Sequence, residues 1–342
     1  MVSRILFYIP AINAPVGGAG VLLEWAAWLG QEGYAVGLFS DEPGQTYPYI
    51  AHDLTVGYEP VVKHRKMAWL PLRQRLRTPG YWTPTPSARN VRPDDLIVVP
   101  EFAAELIIRS FPENRRVLVV QAQDWLVNGS LTRDYIASNF EAVIATSQIC
   151  SDAIELLGLP PALRVPLAID RSLFAFGEAK KQVIAYMPRR RGAEVRLIVD
   201  ALKMRGKLQD FEFRPLDGMT RAEVAANLRD ALVFLAFSQS EGFGLPPAEA
   251  MASGCLVIGY TGAGGDEYFD GDVGFPISDG NVGAYVRKVE EVVQRHRADP
   301  AALDAMRRRA SARILEVYDP AGSRAALLAA FAGIAGEVRA AM

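Results

Sequence analysis

The chain has 342 residues, half of them hydrophobic and 22% charged, which is enough apolar material for two ordinary domains and excludes a disordered chain. Lys plus Arg (37) and Asp plus Glu (39) nearly cancel to a net charge of -2, so the basic excess of a dedicated nucleic-acid binder is missing. Two cysteines, Cys150 and Cys255, cannot build a disulfide framework, and three scattered histidines, His52, His64 and His296, cannot build a sequence-local zinc site.

In chain order, short apolar runs alternate with helical stretches. Strands are expected at 4–9, 34–39, 95–99, 116–121 and 142–146, and helices near 18–32, 101–110, 131–138 and 148–157. The early run Ile5–Ile9 has one preceding Arg4 and leads into a Gly-rich turn, so it reads as strand, turn and helix, not as a secretory signal. The Pro160-Pro161 break and Ala168-Ile169-Asp170 place a domain boundary near 170. The pattern then restarts. Strands are expected at 183–187, 211–213, 232–237 and 255–260, with helices at 193–206, 220–229, 247–253, 281–297 and 301–317. Two doubly wound α/β domains in tandem follow, with ligands expected outside the carboxyl ends of their strands and in a cleft between them.

The string with most chemistry runs from Phe237 to Tyr260, FSQSEGFGLPPAEAMASGCLVIGY. A buried strand ends in a turn holding Glu241 and Gly242-Phe243-Gly244. Pro246 and Pro247 open a short helix, Glu249 is expected in its first turn, and Gly254 closes it. Glycines let the backbone approach a ligand, and N–H groups at a helix start bind phosphate. Two carboxylates flanking the loop suit the hydroxyls of a sugar or ribose. Taken singly, Glu249 also reads as a helix-terminal charge and Glu241 as a solvated loop acid.

As a whole the string resembles the E-x7-E signature of retaining glycosyltransferases with the GT-B fold, in the glycosyltransferase group 1 family. The likeness extends to the Gly17-Gly18 loop after the first strand, to the strand ends DDLIVVPE and VIATS, and to the Gly262–Glu267 glycine turn. It implies two Rossmann-like domains facing across a cleft: an acceptor-side domain over 1–170, a nucleotide-sugar domain over 171–319, and a last helix over 320–342 packing back on the first. It also implies a hexosyltransferase-type transfer from a nucleotide-diphosphate sugar to a hydroxyl acceptor, with retention and without a metal or other cofactor, in cell-surface polysaccharide or glycoconjugate synthesis. By position Glu249 would hold the ribose and Glu241 the transferred sugar. The Gly242-Phe243-Gly244-Leu245 backbone would face sugar and diphosphate, and Gly17 and Gly18 would line the donor side. Asp270-Gly271-Asp272 reads as turn chemistry, not as a metal site.

Two positions depart from the family. Its usual Gly-Arg and following Lys are replaced by Pro188-Arg189-Arg190-Arg191, where Arg189 or Arg190 can grip a diphosphate and no Lys corresponds. Solvated loop charges are the plainer reading. Its usual His is replaced by Gln121-Ala122-Gln123-Asp124-Trp125. There Gln121, Gln123 or Asp124 can meet sugar hydroxyls, and Asp124 can also serve as an acid–base group. Another GT-B enzyme, such as a nucleotide-sugar epimerase, or a non-catalytic sugar- or nucleotide-binding protein are the competing readings. A phosphorylase lacks its cofactor-lysine motif here, and a dehydrogenase lacks G-x-G-x-x-G.

Between Pro60 and Pro93 there is no acidic residue, while Arg73, Arg75 and Arg77 stand among Trp69, Trp82 and further basic residues. Basic residues interleaved with aromatics suit an anionic membrane surface or a lipid-linked or anionic acceptor. A solvated basic loop is the alternative. The expected location is cytoplasmic, with peripheral contact at the inner membrane face.

Overall fold

A computed structural model describes residues 2–12, 17–47, 54–61, 90–126 and 132–335. The chain divides into two compact units. The first comprises Met1–Ala145, Ile154–Leu163 and Leu327–Met342; the second comprises Thr146–Ala153 and Arg164–Ala326.

The first unit is built on a sheet of order β3-β2-β1-β4-β5-β6-β7. Its strands are β1 (Arg4–Tyr8), β2 (Val36–Ser40), β3 (Val56–Tyr58), β4 (Asp95–Pro100), β5 (Arg115–Val120), β6 (Ala142–Ala145) and β7 (Leu163–Arg164). β1 pairs in parallel with β2 on one side and β4 on the other, Ile5 standing opposite Val36 and Leu96. All of β4 is buried, as expected of a parallel strand covered on both faces. Helix α1 (Gly17–Gln31) lays Leu22, Trp25, Ala26 and Leu29 into the core. Strand order reverses between β1 and β4, so the crevice for a ligand opens where those two strands end.

The second unit has the order β12-β11-β10-β8-β9. These are β8 (Lys181–Tyr186), β9 (Glu212–Pro215), β10 (Ala231–Phe237), β11 (Leu256–Tyr260) and β12 (Phe275–Pro276), and the order reverses between β8 and β10. Five helices of this unit are α5 (Gly192–Met204), α6 (Arg221–Asp230), α7 (Leu245–Ala252), α8 (Val282–Ala298) and α9 (Pro300–Val317), preceded in the chain by α2 (Ala104–Ser110), α3 (Arg133–Asn139) and α4 (Gln148–Leu156). α6 starts on a capping box in which Thr220 Oγ1 accepts from Glu223 N and Glu223 Oε2 accepts from Thr220 N. Gly259 has φ 137°, and a Cβ there would lie 2.2 Å from Ala236 O and 2.3 Å from the Tyr285 hydroxyl. That close approach lets Tyr285 stack on Phe237 and donate to the strand carbonyls.

The final helix α10 (Pro320–Ala335) brings Phe331 onto Phe7 of β1, ring centroids 6.4 Å apart. The expected helix at 101–110 is divided into a 3-10 turn, Glu101–Ala103, and α2. The strands β3, β7 and β12 were not expected, because two or three residues carry no readable periodicity. α7 begins at Leu245, two residues earlier than expected, so Glu249 stands in its second turn and not its first. The cause is Gly244, whose left-handed φ of 88° starts the helix one residue before the prolines.

Candidate functional site

In the second unit the candidate residues converge where β8, β10 and β11 end. The described residues contain three non-glycine positions with positive φ, Arg191 (52°), Ser240 (47°) and Ala263 (67°), and they follow β8, β10 and β11 respectively. Backbone strain of this kind persists only where the surroundings enforce it, and it concentrates at ligand sites. Ala263 is the centre of a γ-turn with ψ -50°, closed by Gly264 N donating to Gly262 O at 2.9 Å.

The loops after β10 and β11 are laced together. Glu241 N donates to Gly262 O at 2.9 Å, and Glu241 and Ala263 form a parallel bridge. Gly264 lies so close that a Cβ would meet Glu241 O at 2.4 Å and Gly242 C at 2.5 Å. Phe243 turns inward against Tyr268 and Tyr318, and the Tyr268 hydroxyl donates to Gly244 O. Gly242, Phe243 and Gly244 are buried, and Leu245 opens α7. These contacts hold the loop from beneath, the preorganisation that binding a phosphate or sugar through backbone groups requires.

The arginine cluster after β8 separates into two roles. Arg190 Nε stands 3.0 Å from Glu241 Oε1, across the point where strand order reverses. Arg189 and Arg190 are exposed. Arg191 turns inward. It pairs with Glu194 at 3.1 Å and with Asp279, donates to Ser238 O and lies over the Tyr260 ring. Arg191 therefore braces the loop, while its neighbours Arg189 and Arg190 are exposed.

Glu249 is buried in α7, and that burial pushes its carboxyl up to about 7 despite Arg221 Nε at 3.6 Å. Arg221, in the first turn of α6, also lies over the Phe174 ring. Arg221 was not among the residues expected from the sequence, although the expected helix over 220–229 placed it near a helix start. Arg196 is exposed and off the buried stripe of α5. Asp270 Oδ1 accepts from Asp272 N at 2.9 Å and Oδ2 pairs with Arg313, which is turn chemistry.

In the first unit, Gly17 and Gly18 open α1, and a Cβ on Gly18 would come 2.6 Å from Gln121 Oε1. Gln121 N donates to Glu101 Oε2 at 3.2 Å. Glu101 is buried at the end of β4, and desolvation pushes its carboxyl up to about 7. It was noted in the sequence only as a strand end, because burial has no local signature. Asp124 is exposed on a 3-10 turn, Gln123–Leu126. Asp124 thus belongs to the first unit, and Arg190 and Glu241 to the second. Trp69, Arg73, Arg75, Arg77 and Trp82 lie outside the described residues.

The two doubly wound parallel sheets are those of a GT-B protein. Sucrose-phosphate synthase from Thermosynechococcus elongatus superposes with a TM-score of 0.66 at 13% identity, over 97% of this chain and 99% of that one. HepE from Anabaena, in complex with UDP and glucose, gives 0.66 at 15% identity, over 97% and 100%. TarM from S. aureus gives 0.56 at 14% identity, over 70% and 55%.

Residues 214–311, which hold the Glu241–Glu249 loop, match the family of glycosyl transferases group 1. A curated relative, an alpha-1,6-glucosyltransferase of Actinobacillus pleuropneumoniae serotype 7 (strain AP76), is 28% identical over 211 residues. The match spans 58% of this chain and 63% of that relative.

Proposed function

We propose that this protein is a retaining, metal-independent glycosyltransferase that moves a hexosyl group from a nucleotide-diphosphate sugar to a hydroxyl acceptor, in cell-surface polysaccharide or glycoconjugate synthesis. The observation that carries the reading is the Arg190–Glu241 pair above a strained, laced glycine loop, with Glu249 on the helix that the loop opens. The curated relative's name supports a hexosyl donor.

In this reading Arg190, with Arg189 beside it, turns from Glu241 to the diphosphate and neutralises the charge that develops as the anomeric C–O bond breaks. Glu241, released, accepts hydrogen bonds from hydroxyls of the transferred sugar. Glu249 accepts from the ribose hydroxyls, and the backbone of 242–245 faces the sugar and diphosphate. The sugar passes through an oxocarbenium-like state, which such fixed charges stabilise. On the first unit, Gly17 and Gly18 admit the donor closely, and Asp124 serves the acceptor as a hydrogen-bonding or acid–base group. The basic 60–93 stretch brings the protein to an anionic surface or a lipid-linked acceptor, at the inner membrane face of the cytoplasm. Among the described residues no helix is long and apolar enough to cross a membrane.

The test is nucleoside-diphosphate release from a panel of nucleotide sugars, with and without hydroxyl acceptors. Release stimulated by acceptor, with the anomeric configuration kept, is expected. Isomerisation of the donor with no acceptor would point to an epimerase, and no turnover of any donor would remove the enzymatic reading.

A further inference from the structure

Two exposed aromatic rings adjoin in the first unit. Phe102, on the 3-10 turn after β4, is 44% exposed, and Trp125, on the 3-10 turn after β5, is 52% exposed. Their centroids are 6.1 Å apart at 69°, an edge-on contact that braces the indole and leaves half of it open. The other large hydrophobic side chains exposed among the described residues are aliphatic, and none is Phe or Trp. A neighbouring pair at the ligand-binding end of a parallel sheet is therefore not ordinary surface scatter.

The groups around the pair are hydrogen-bonding ones. Asp124 is exposed beside Trp125. Gln123 Oε1 is buried and has no hydrogen-bond partner among the described residues. Gln121 abuts Gly18, and the Glu101 carboxylate holds Gln121 N, which fixes the turn that carries Trp125. Neither 100–103 nor 121–126 contains Lys or Arg, so nothing on the two turns calls for an anion.

We infer that Phe102 and Trp125 form a stacking platform for a neutral pyranose ring of the acceptor. A pyranose offers an apolar C–H face to the indole and hydroxyl donors at its rim, and the exposed Asp124 carboxylate supplies an acceptor for them. The acceptor on this inference is a saccharide, recognised by its ring and not by an anionic head group. The word acceptor rests on the glycosyltransferase reading; the saccharide site itself does not.

The experiment is saturation-transfer NMR on the full chain, with the methyl pyranosides of glucose, galactose, mannose and N-acetylglucosamine as probes. Ring C–H protons of at least one probe should be saturated by the wild type. Trp125→Ala should weaken that binding about tenfold, and Trp125→Phe should recover part of it. Should Trp125→Ala fail to fold, the indole N–H resonance of Trp125 in the wild type, assigned with Trp125→Phe, must shift on saturation with the pyranoside. Absence of binding to any probe, or binding undiminished in a folded Trp125→Ala, overturns the platform. So does a shift of the Trp125 resonance by tetramethylammonium or anionic vesicles in place of the pyranosides. Nucleotide-sugar turnover by the same wild-type preparation separates the two readings. Turnover without pyranoside binding defeats only the platform, and pyranoside binding without turnover defeats only the enzyme.

Discussion

Arg190 Nε and Glu241 Oε1 stand 3.0 Å apart across the reversal point of the second sheet, so the side chain proposed to grip the diphosphate and the one proposed to hold the sugar pair with each other. Arg190 is 57% exposed, and a pair this open contributes little to stability. In the proposed function its worth lies in setting both charges where the donor would bind. Arg190→Ala should leave the melting temperature nearly unchanged and weaken nucleoside-diphosphate binding about ten- to a hundredfold, the loss of a charged hydrogen bond of roughly 1.5–3 kcal/mol. Affinity for the bare nucleoside should not change. Calorimetry with both ligands decides this. Glu241→Ala should instead spare the free diphosphate and lower turnover.

Glu249 should make nucleoside binding pH-dependent. Its ordinary value of 4.5 is pushed up to about 7 by burial, with Arg221 opposing the shift. In the proposed function ribose hydroxyls donate to the ionised form, so affinity for the nucleoside, which has no phosphate to titrate, should rise with pH through about 7. The same shift acts oppositely on stability. A folded-state value above the unfolded one makes the native state hold the extra proton, so stability falls as pH rises from about 4.5 to about 7 and then levels. Glu101 acts in the same direction for the same reason. Glu249→Gln should remove the pH dependence of nucleoside binding and flatten part of the stability decline. A nucleoside affinity as pH-dependent as before would detach Glu249 from the ribose.

Gly264 tests the lacing of the two loops. A Cβ there would collide with backbone atoms of Glu241, Gly242 and Phe243, whereas one on Gly271 meets nothing within 4 Å. Gly264→Ala should cost roughly 1–3 kcal/mol by thermal or denaturant unfolding and weaken nucleoside-diphosphate binding with it. Gly271→Ala should do neither. Equal behaviour of the two variants would mean that the lacing is not what shapes the loop.

Chelation tests the metal-free reading. Asp270 is engaged with Arg313 and its own turn. Turnover should survive EDTA, and Asp270→Asn should leave it in place. A strict requirement for a divalent ion would reopen Asp270 and Asp272.

The basic 60–93 stretch predicts salt-sensitive co-sedimentation with anionic vesicles and none with neutral ones, since each Lys or Arg near such a surface contributes about 1 kcal/mol. Reversal of Arg73, Arg75 and Arg77 to Glu should abolish it. No sedimentation at low salt would leave the stretch as a solvated loop.

Strand and helix alternation, the Glu241–Glu249 spacing and the glycine turns were all legible in the amino-acid sequence. Each is a local property: a run of apolar residues, a turn chemistry or a fixed offset within one loop. Tertiary structure decided the rest. Glu241 finds Arg190 and Ala263 from separate loops, and Arg191 turns inward while its neighbours do not. Glu249 and Glu101 are buried, and Phe102 meets Trp125. These outcomes depend on which strand ends lie side by side in a sheet, and strand order is set by long-range packing that no short window of residues contains.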